Sequence, residues 1–394
     1  MLASHALPLP ASEAGRARER ARVIARLLLR HQRRAGGAAH QPGECREFPC
    51  GACEETQARV IEPFVREGRP VRLLLPAFPG KSPNRAKVLG ALPDLAEEVA
   101  LEFLDLLAAR IREVHPPGAE IVICSDGRVF SDAVRIPDED ITAYHDALRS
   151  MVAALPGRAV SVFTLDQATG FADLGHDEMR RVLTERHAVP LESLRARIRH
   201  GEDLPLYRAV TRFLFEDGNT PEYGGSRAAL QRDARRRAYV VIQRSKAWGD
   251  FLAERFPGSV RLSIHPQPCS SAKLGIRLGE STGAWLTPWH GVAVDVGGRV
   301  VLMKRAEAER LGGELAVRDG RPSHYVLREP GLLADESAPV ATVATTATTA
   351  PAAAATVATV AAVARGADGA APHPGPPTAG APALPGLPDT REEW

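Results

Sequence analysis

Apolar residues recur along the chain in two patterns. Short runs of mostly apolar residues predict buried strands, and longer stretches with apolar positions three or four residues apart predict helices. The predicted strands are 71–75, 120–124, 159–164 and 260–264, and the predicted helices are 94–114, 138–154 and 239–256. Strands that alternate with helices form a mostly parallel sheet flanked by helices. The sequence therefore predicts an α/β, Rossmann-like fold.

Three regions outside this alternation have their own patterns. Residues 1–16 predict a flexible arm, and residues 17–34 predict an arginine-rich helix whose charged face is solvated. Residues 167–237 are helical in pattern and heavily charged, with prolines that interrupt the helices. They predict a helical insertion that covers the sheet or forms a lid.

The C-terminal part of the chain changes in composition. Short apolar runs at 285–286, 291–294 and 299–303 predict strands of the same sheet or of a second one. Residues 338–394 consist mainly of Ala, Thr, Val, Pro and Gly, which cannot build a core, so they predict a disordered tail. A single domain is then expected over 17–337.

Composition and charge exclude several classes of protein. The chain has 394 residues, and its 50 basic and 48 acidic side chains are intermixed, with a net charge of +2, which argues against a nucleic-acid-binding protein. No apolar run approaches the roughly 20 residues that span a bilayer. The N-terminus has no signal-peptide pattern. We expect a cytoplasmic protein that does not bind membranes.

Three of the five cysteines lie close together near the N-terminus. An odd number of cysteines is typical of a reduced compartment. Cys50 and Cys53 have the spacing of half a zinc site, and His31, His40 or Cys45 could add to it. Because a second half is missing from the sequence nearby, a free pair of thiols near a helix start is the simpler interpretation, and no metal is assigned.

A polar, proline-rich segment, PAFPGKSPNRAKVLGALPD, follows the first predicted strand. Its cations and neutral polar residues are Lys81, Ser82, Asn84, Arg85 and Lys87. A stiff turn between a strand and a helix can place such cations near an anionic ligand, with helix amides helping. The alternative is that Ser82 or Asn84 merely caps the helix that follows.

Two further polar clusters lie at or near ends of predicted strands. Ser125, Asp126 and Asp132 follow the strand at 120–124, at the edge where α/β sheets bind ligands. The two aspartates are candidates for holding an amine or sugar hydroxyls. The alternative is a simple turn at Asp126.

The second of these clusters begins in the strand at 260–264. Arg261, Ser263 and His265 alternate and should point to one face. A buried face does not usually carry all three unless it lines a polar site. A core histidine would explain His265 alone but not the trio.

Together these segments resemble a known family. PAFPGKSPNRAKVLGALPD, ICSDGRVFSD, RSKAW, RLSIHPQPCSSAKLGIRL and TPWHGV are similar, in this order, to successive blocks of the isocyanide (isonitrile) synthases, which are grouped with pyoverdine and dityrosine biosynthesis proteins. The resemblance covers roughly residues 45–325. Gly80 departs from it, because related chains often carry a bulkier residue there.

The resemblance implies a reaction of secondary metabolism. The α-amine of an aromatic amino acid, L-tyrosine in preference to L-tryptophan, becomes an isocyanide whose carbon comes from C2 of ribulose 5-phosphate. No metal or organic cofactor is implied, and an iron- and 2-oxoglutarate-dependent oxygenase is expected to act on the product. Two alternatives stay open: a formyl-tyrosine-forming enzyme of the dityrosine branch, and a non-catalytic sugar-phosphate-binding protein.

This reaction needs a base, a proton shuttle and a clamp for anions. We expect His265 and His290 to exchange protons, with Asp126 or Asp132 orienting one of them or binding the amine. Lys81 or Lys273 is an alternative nucleophile toward the sugar ketone, ranked below direct attack by the substrate amine.

The remaining candidates bind substrate. The cations expected to clamp phosphate and carboxylate are Lys81, Arg85, Arg261 and Lys273. The neutral hydrogen-bonding residues are Ser82, Asn84, Ser125, Ser263, Gln267 and Ser271. The other predicted contacts are Lys87, Arg244 and Trp289.

Overall fold

A sheet of five parallel strands forms the centre of the protein. The computed structural model describes residues 13–33, 45, 49–283 and 286–328. The strands are β1 (Val71–Pro76), β2 (Ala119–Ser125), β3 (Val160–Thr164), β4 (Val260–Ser263) and β5 (Lys273–Gly275). They pair in the order β3-β2-β1-β4-β5, all in parallel. The predicted α/β, Rossmann-like fold is confirmed.

Ten helices accompany the strands within the described residues. They are α1 (Glu13–Leu29), α2 (Gly51–Arg66), α3 (Leu95–Val114), α4 (Gly127–Val134), α5 (Asp138–Ala153), α6 (His176–His187), α7 (Leu191–Arg199), α8 (Leu204–Gly218), α9 (Arg227–Arg255) and α10 (Arg305–Arg310). Helix α1 begins inside the predicted arm and ends five residues before the predicted boundary at 34. No break separates the insertion from the helix predicted at 239–256, because α9 spans both.

The helices cover both faces of the sheet. Alternate residues of the central strands point to opposite faces, so Leu73 and Leu75 pack against α1, α2, α3 and α5, while Leu74 packs against α4 and α6–α9. Both faces of β1 are therefore apolar, as expected of a central parallel strand. The helices of residues 167–237 form much of the second layer.

A second sheet follows the first along the chain. Its strands are β6 (Val292–Val296), β7 (Arg299–Met303), β8 (Glu314–Arg318) and β9 (Arg321–Leu327), in the order β7-β6-β9-β8. The runs at 291–294 and 299–303 thus belong to a separate sheet. In the run predicted at 285–286, residue 285 lies outside the described residues and Leu286 lies in a loop.

The tail predicted at 338–394 and residues 1–12 of the predicted arm lie outside the described residues. Among the helices that are described, none combines the length and apolarity that a membrane crossing requires.

Candidate functional site

The strand order creates a crevice between β1 and β4. The chain leaves β1 toward β2 and β3 on one side, and it returns to β4 and β5 on the other. Ligands of open α/β sheets bind where neighbouring loops diverge in this way. The two loops here are residues 77–94, called the β1 loop, and residues 264–272, called the β4 loop.

A short 3₁₀-helix, Pro288–His290, lies against the β1 loop. The Ser82 backbone N–H donates to the Trp289 carbonyl at 2.9 Å, and the Lys81 ammonium donates to the Pro288 carbonyl at 3.1 Å. These bonds hold His290 beside the β1 loop. His290 also acts on the pKa of His265, so the structure brings the two histidines near each other although they belong to different loops.

The two histidines are neutral near pH 7. Burial, with Arg33, His290 and Lys273 nearby, lowers the pKa of His265 to about 4. Burial also lowers the pKa of His290 to about 4, and Asp217 only partly opposes this effect. The His290 side chain is still 29% exposed, so its ring is desolvated by its surroundings and yet reachable. A neutral imidazole can accept a proton from a substrate.

Asp217 is a site residue that the sequence did not indicate. It lies near the C-terminal end of α8, where its Oδ1 accepts from the Lys87 ammonium at 2.5 Å. Its Oδ2 lies 3.8 Å from His290 Nε2 and has no hydrogen-bond partner among the described residues. On the other side of the ring, His290 Nδ1 lies 3.1 Å from Thr287 Oγ1. Lys87, Asp217 and His290 thus form a polar chain that can orient the imidazole.

Cations line the β4 side of the crevice. Arg261 and Lys273 are partners in neighbouring strands, and Arg261 donates to the Gly249 carbonyl of α9 at 3.0 Å. Burial and Arg261 together lower the pKa of Lys273 to about 8. Burial also lowers the pKa of Arg261. Asp250 of α9 partly opposes both shifts, and the two neighbouring cations can still attract an anion.

Arg33 adds a third cation, and a buried one, that the sequence interpretation missed. The predicted helix at 17–34 was expected to expose its charges, but Arg33 lies beyond the end of α1 and is only 4% exposed. It donates to the Leu286 carbonyl at 3.0 Å, while its Nε has no partner among the described residues. Nothing in the local sequence separates it from the other arginines of the segment.

Asp126 has the most perturbed aspartate pKa that is resolved. It follows β2 and begins α4, and burial raises its pKa to about 7. Its Oδ1 is inaccessible and lacks a hydrogen-bond partner within the described part of the chain. Such a carboxyl can take up and release a proton near neutral pH. The sequence predicted that Asp126 orients a histidine or binds the amine, and its raised pKa adds proton transfer as a further possible role.

Lys81 was expected to bind an anion or to act as a nucleophile, but the structure buries it among protein groups. Its ammonium lies 2.8 Å from Asp94 Oδ2 and 2.7 Å from Glu97 Oε2, and the side chain is fully buried. Together with the Pro288 carbonyl, these carboxylate oxygens surround the ammonium group. Although burial opposes its charge, the two carboxylates raise its pKa. Lys81 therefore anchors the β1 loop, and the geometry argues against both an anion clamp and a Schiff base there.

Ser82 and Asn84 of the β1 loop bond to the loop itself and to α8. Ser82 Oγ accepts from the Asn84 backbone N–H at 3.2 Å, and Asn84 bonds the Ala86 N–H and the Glu216 carbonyl. The expected bonds from Ser82 and Asn84 to a sugar are thus replaced by loop contacts. The capping alternative is also wrong, because Asp94 caps α3 in a capping box with Glu97.

Ser125 also forms its hydrogen bonds inside the core. Its hydroxyl donates to the Phe78 carbonyl at 2.7 Å and lies 2.7 Å from His145 Nε2. Burial lowers the pKa of His145 to about 3, so this histidine is neutral. Ser125 is fully buried and cannot bind substrate as expected.

Within the β4 loop, the predicted polar residues shape the backbone. Gln267 Nε2 donates to Ser263 Oγ at 3.2 Å and to the His265 carbonyl at 3.2 Å. The His265 N–H donates to Ser263 Oγ at 3.1 Å, and the Lys273 N–H donates to Ser271 Oγ at 3.2 Å. These bonds position His265 at the end of β4 and leave Ser263, Gln267 and Ser271 as supporting residues.

Three more predicted contacts lie elsewhere. Arg244 of α9 forms an ion pair with Asp132 of α4 at 2.5 Å. Each charge is therefore compensated by the other, and the pair links the two helices. Trp289 is 2% exposed and packs on Phe78 with ring centroids 5.2 Å apart. Trp289 is a core residue.

A cavity of about 210 Å³ opens beside the β1 loop. Gly80, Pro83, Arg85 and Asp140 are among the residues that line it. Arg85 is exposed, and its role as an anion clamp stays a prediction. A β-carbon at Gly80 would lie 2.7 Å from Ile141 Cδ1, and its φ is +125°, so a larger residue would change this wall.

Comparisons with known proteins agree with this geometry. Residues 61–316 match the family model of pyoverdine/dityrosine biosynthesis protein. An L-tyrosine isonitrile synthase of Pseudomonas aeruginosa is 50% identical over 310 residues, covering 78% of this chain and 94% of that protein. An L-tryptophan isonitrile synthase of Fischerella ambigua is 38% identical over 312 residues, covering 79% and 94%.

A solved structure is also similar. The crystal structure of the PvcA protein from Pseudomonas aeruginosa aligns with a TM-score of 0.72 at 48% identity, covering 78% of this chain and 99% of that one.

Proposed function

This chain belongs to the pyoverdine/dityrosine biosynthesis protein family, and we propose that it is an isonitrile synthase that converts the α-amine of an aromatic L-amino acid to an isocyanide. Tyrosine is the proposed substrate in preference to tryptophan, because the tyrosine enzyme is 50% identical and the tryptophan enzyme 38%. Ribulose 5-phosphate is the proposed co-substrate, and its C2 supplies the isocyanide carbon without an organic cofactor.

The observation that supports this proposal best is the group of buried and partly buried cations near His265. Arg33 and Lys273 both contribute to the lowered pKa of this histidine, so both cations lie in its neighbourhood. An amino-acid carboxylate and a sugar phosphate are both anions, and buried arginine and lysine bind such groups strongly. Arg261 stands next to Lys273 in the sheet and is the third member of the proposed clamp.

The proposed first step is attack of the amine on the C2 ketone. A base removes a proton from the ammonium group, the C–N bond forms, and the carbinolamine loses water to give an imine. Asp126, with a pKa of about 7, and the neutral His265 are the proposed bases. The acid form of the same groups would protonate the departing hydroxyl.

Lys273 offers a second route that one observation favours. A lysine with a pKa of about 8 is partly unprotonated near neutral pH and can attack a ketone. Borohydride reduction in the presence of the sugar phosphate would then leave a covalent adduct on Lys273 and none in Lys273→Met. Absence of an adduct in the wild type would leave direct attack by the substrate amine as the route.

The experiment that tests the function uses ribulose 5-phosphate with carbon-13 at C2. The full-length protein is incubated with this sugar and each aromatic amino acid in turn, and the products are analysed by mass spectrometry and infrared spectroscopy. We expect one labelled carbon in an isocyanide derived from tyrosine.

Three outcomes would contradict the proposal. An unlabelled isocyanide would exclude C2 as the source of the carbon. A labelled formamide would indicate chemistry of the dityrosine branch. Binding of both ligands without consumption would indicate a sugar-phosphate-binding protein.

A further inference from the structure

Four cysteine sulfurs meet between helix α2 and the β4 loop. Cys45 precedes α2, Cys50 and Cys53 lie at its start, and Cys269 belongs to the β4 loop. Cys45 Sγ is 3.3 Å from Cys53 Sγ, Cys50 Sγ is 3.5 Å from Cys269 Sγ, and all four sulfurs lie within 4.8 Å of one another. None of the four forms a disulfide. We call these residues the four-cysteine cluster.

The separations match those of ligands around a single ion. Tetrahedral zinc with Zn–S bonds of about 2.3 Å places its sulfurs about 3.8 Å apart. A disulfide would need sulfurs about 2 Å apart, and a cluster of several irons spreads its cysteines more widely than one ion does. Four sulfurs in one compact group indicate zinc, and an iron ion is the main competitor.

The surroundings suit thiolates. The Ser270 backbone N–H donates to Cys53 Sγ at 3.3 Å, and Ser270 has a φ of +57°, a left-handed turn that directs this N–H inward. Cys50 is the N-cap of α2, so the positive end of the helix dipole faces the sulfurs. Both features stabilise the two net negative charges of a zinc ion bound by four thiolates.

We propose that the four-cysteine cluster binds one zinc ion, which fastens the β4 loop to helix α2. Four protein ligands leave no open position, so the ion is structural. The loop that it holds carries His265, and Gln57 of α2 adds a second tie by donating to the Ser271 carbonyl at 3.0 Å. The ion would therefore fix the position of the proposed acid–base residue without touching the substrate.

Metal analysis of the full-length protein tests this proposal. Inductively coupled plasma mass spectrometry should find about one zinc per chain, and Cys53→Ser and Cys269→Ser should each fall below about a tenth of that. Cys124→Ser is the matched control, because Cys124 is fully buried but outside the cluster. It should keep its zinc. Retention of a full complement by Cys269→Ser would overturn the assignment.

A second measurement on the wild type covers the case in which the variants do not fold. A mercurial reagent that modifies thiols is added, and a chromogenic chelator reports released zinc. We expect one zinc to be released as the cluster thiols react. Reduced wild-type protein that keeps no zinc after loading and desalting would overturn the proposal, and so would iron in place of zinc.

Discussion

His265 and Lys81 were both predicted to be catalytic, and their surroundings now separate them. His265 is a partly buried residue at the edge of the sheet, and desolvation, helped by nearby cations, keeps its ring neutral. Lys81 is completely buried, and its ammonium lies between two carboxylates and a backbone carbonyl. A charge that is already balanced by protein carboxylates has little left to offer a ligand. His265 is therefore a candidate for catalysis, and Lys81 is a candidate for stabilising the fold.

Replacing His265 by asparagine should remove proton transfer while keeping a polar side chain of similar size. We expect turnover to fall by about a hundredfold or more, the usual contribution of a general acid–base group, with an unchanged circular dichroism spectrum. His200→Asn is the matched control, because His200 is exposed at the end of α7. Equal turnover of His265→Asn and wild type would remove His265 from the mechanism.

Replacing Lys81 by methionine should destabilise the fold. The change leaves Asp94 and Glu97 buried without their cation, a situation that costs about 3–5 kcal/mol. Urea unfolding measures this loss. The double variant Lys81→Met/Glu97→Gln should recover part of it, because one of the uncompensated acids becomes neutral. If Lys81→Met kept its unfolding free energy and lost only activity, the anchoring role would be wrong.

The pKa of Asp126 predicts a pH-dependent stability. Between about pH 4 and pH 7 the folded protein keeps the Asp126 proton while the unfolded chain loses it, so this residue lowers the unfolding free energy as pH rises. The slope is at most about 1.4 kcal/mol per pH unit. Asp126→Asn lacks this effect. Its stability relative to wild type should therefore rise from pH 4 to pH 7 and then level off, and a flat difference would contradict the raised pKa.

At the scale of elements, close backbone contacts fix the two sides of the crevice. Helix α4 begins against the β1 loop, where a β-carbon at Gly127 would lie 2.2 Å from the Pro79 carbonyl oxygen. The amino end of α4 carries Asp126, so this contact sets the distance between that carboxyl and the loop. Lys81 and the capping box of α3 hold the other end of the same loop.

Gly127→Ala should push α4 away from the β1 loop. We expect a loss of about 1–3 kcal/mol of unfolding free energy, as for other overpacked sites, and a lower turnover because Asp126 moves. Thermal unfolding and the isocyanide assay measure the two effects. Gly175→Ala is the control, since no atom lies within 4 Å of a β-carbon there. Equal behaviour of the two variants would show that the close approach is unimportant.

At the scale of the whole molecule, the helical insertion supplies part of the site. Its helix α8 brings Asp217 to Lys87 and His290, and Asn84 binds the Glu216 carbonyl of the same helix. Residues 167–237 thus take part in the crevice in addition to covering one face of the sheet.

Removal of residues 338–394 should leave the enzyme intact. The family match ends at residue 316, and the described part of the chain ends at Arg328. We expect unchanged turnover and melting temperature in the truncated protein, measured beside the full chain. Loss of isocyanide formation would show that the tail contributes to catalysis.

The sequence by itself determined four of the five strands of the central sheet and the edge where they end, but not β5. Buried apolar runs specified β1–β4 and helices α3 and α5, because hydrophobic periodicity is a local property. The same pattern placed Asp126 and His265 after strands, and the order of the motifs indicated the family. Local pattern was a poor guide to Ser125 and Asn84, whose partners lie far away in the chain.

Only the tertiary structure decided which polar residues meet. Lys81 pairs with Asp94 and Glu97, and Asp217 lies near His290. Arg33 is buried, and Cys269 contacts cysteines more than 200 positions earlier in the chain. Burial and partners set the charge and pKa of a side chain, and both depend on segments that are remote in sequence. The pattern along the chain therefore indicated the sheet edge at which the candidate site lies. The packing of distant loops determined which side chains can take part in the chemistry and which support the structure.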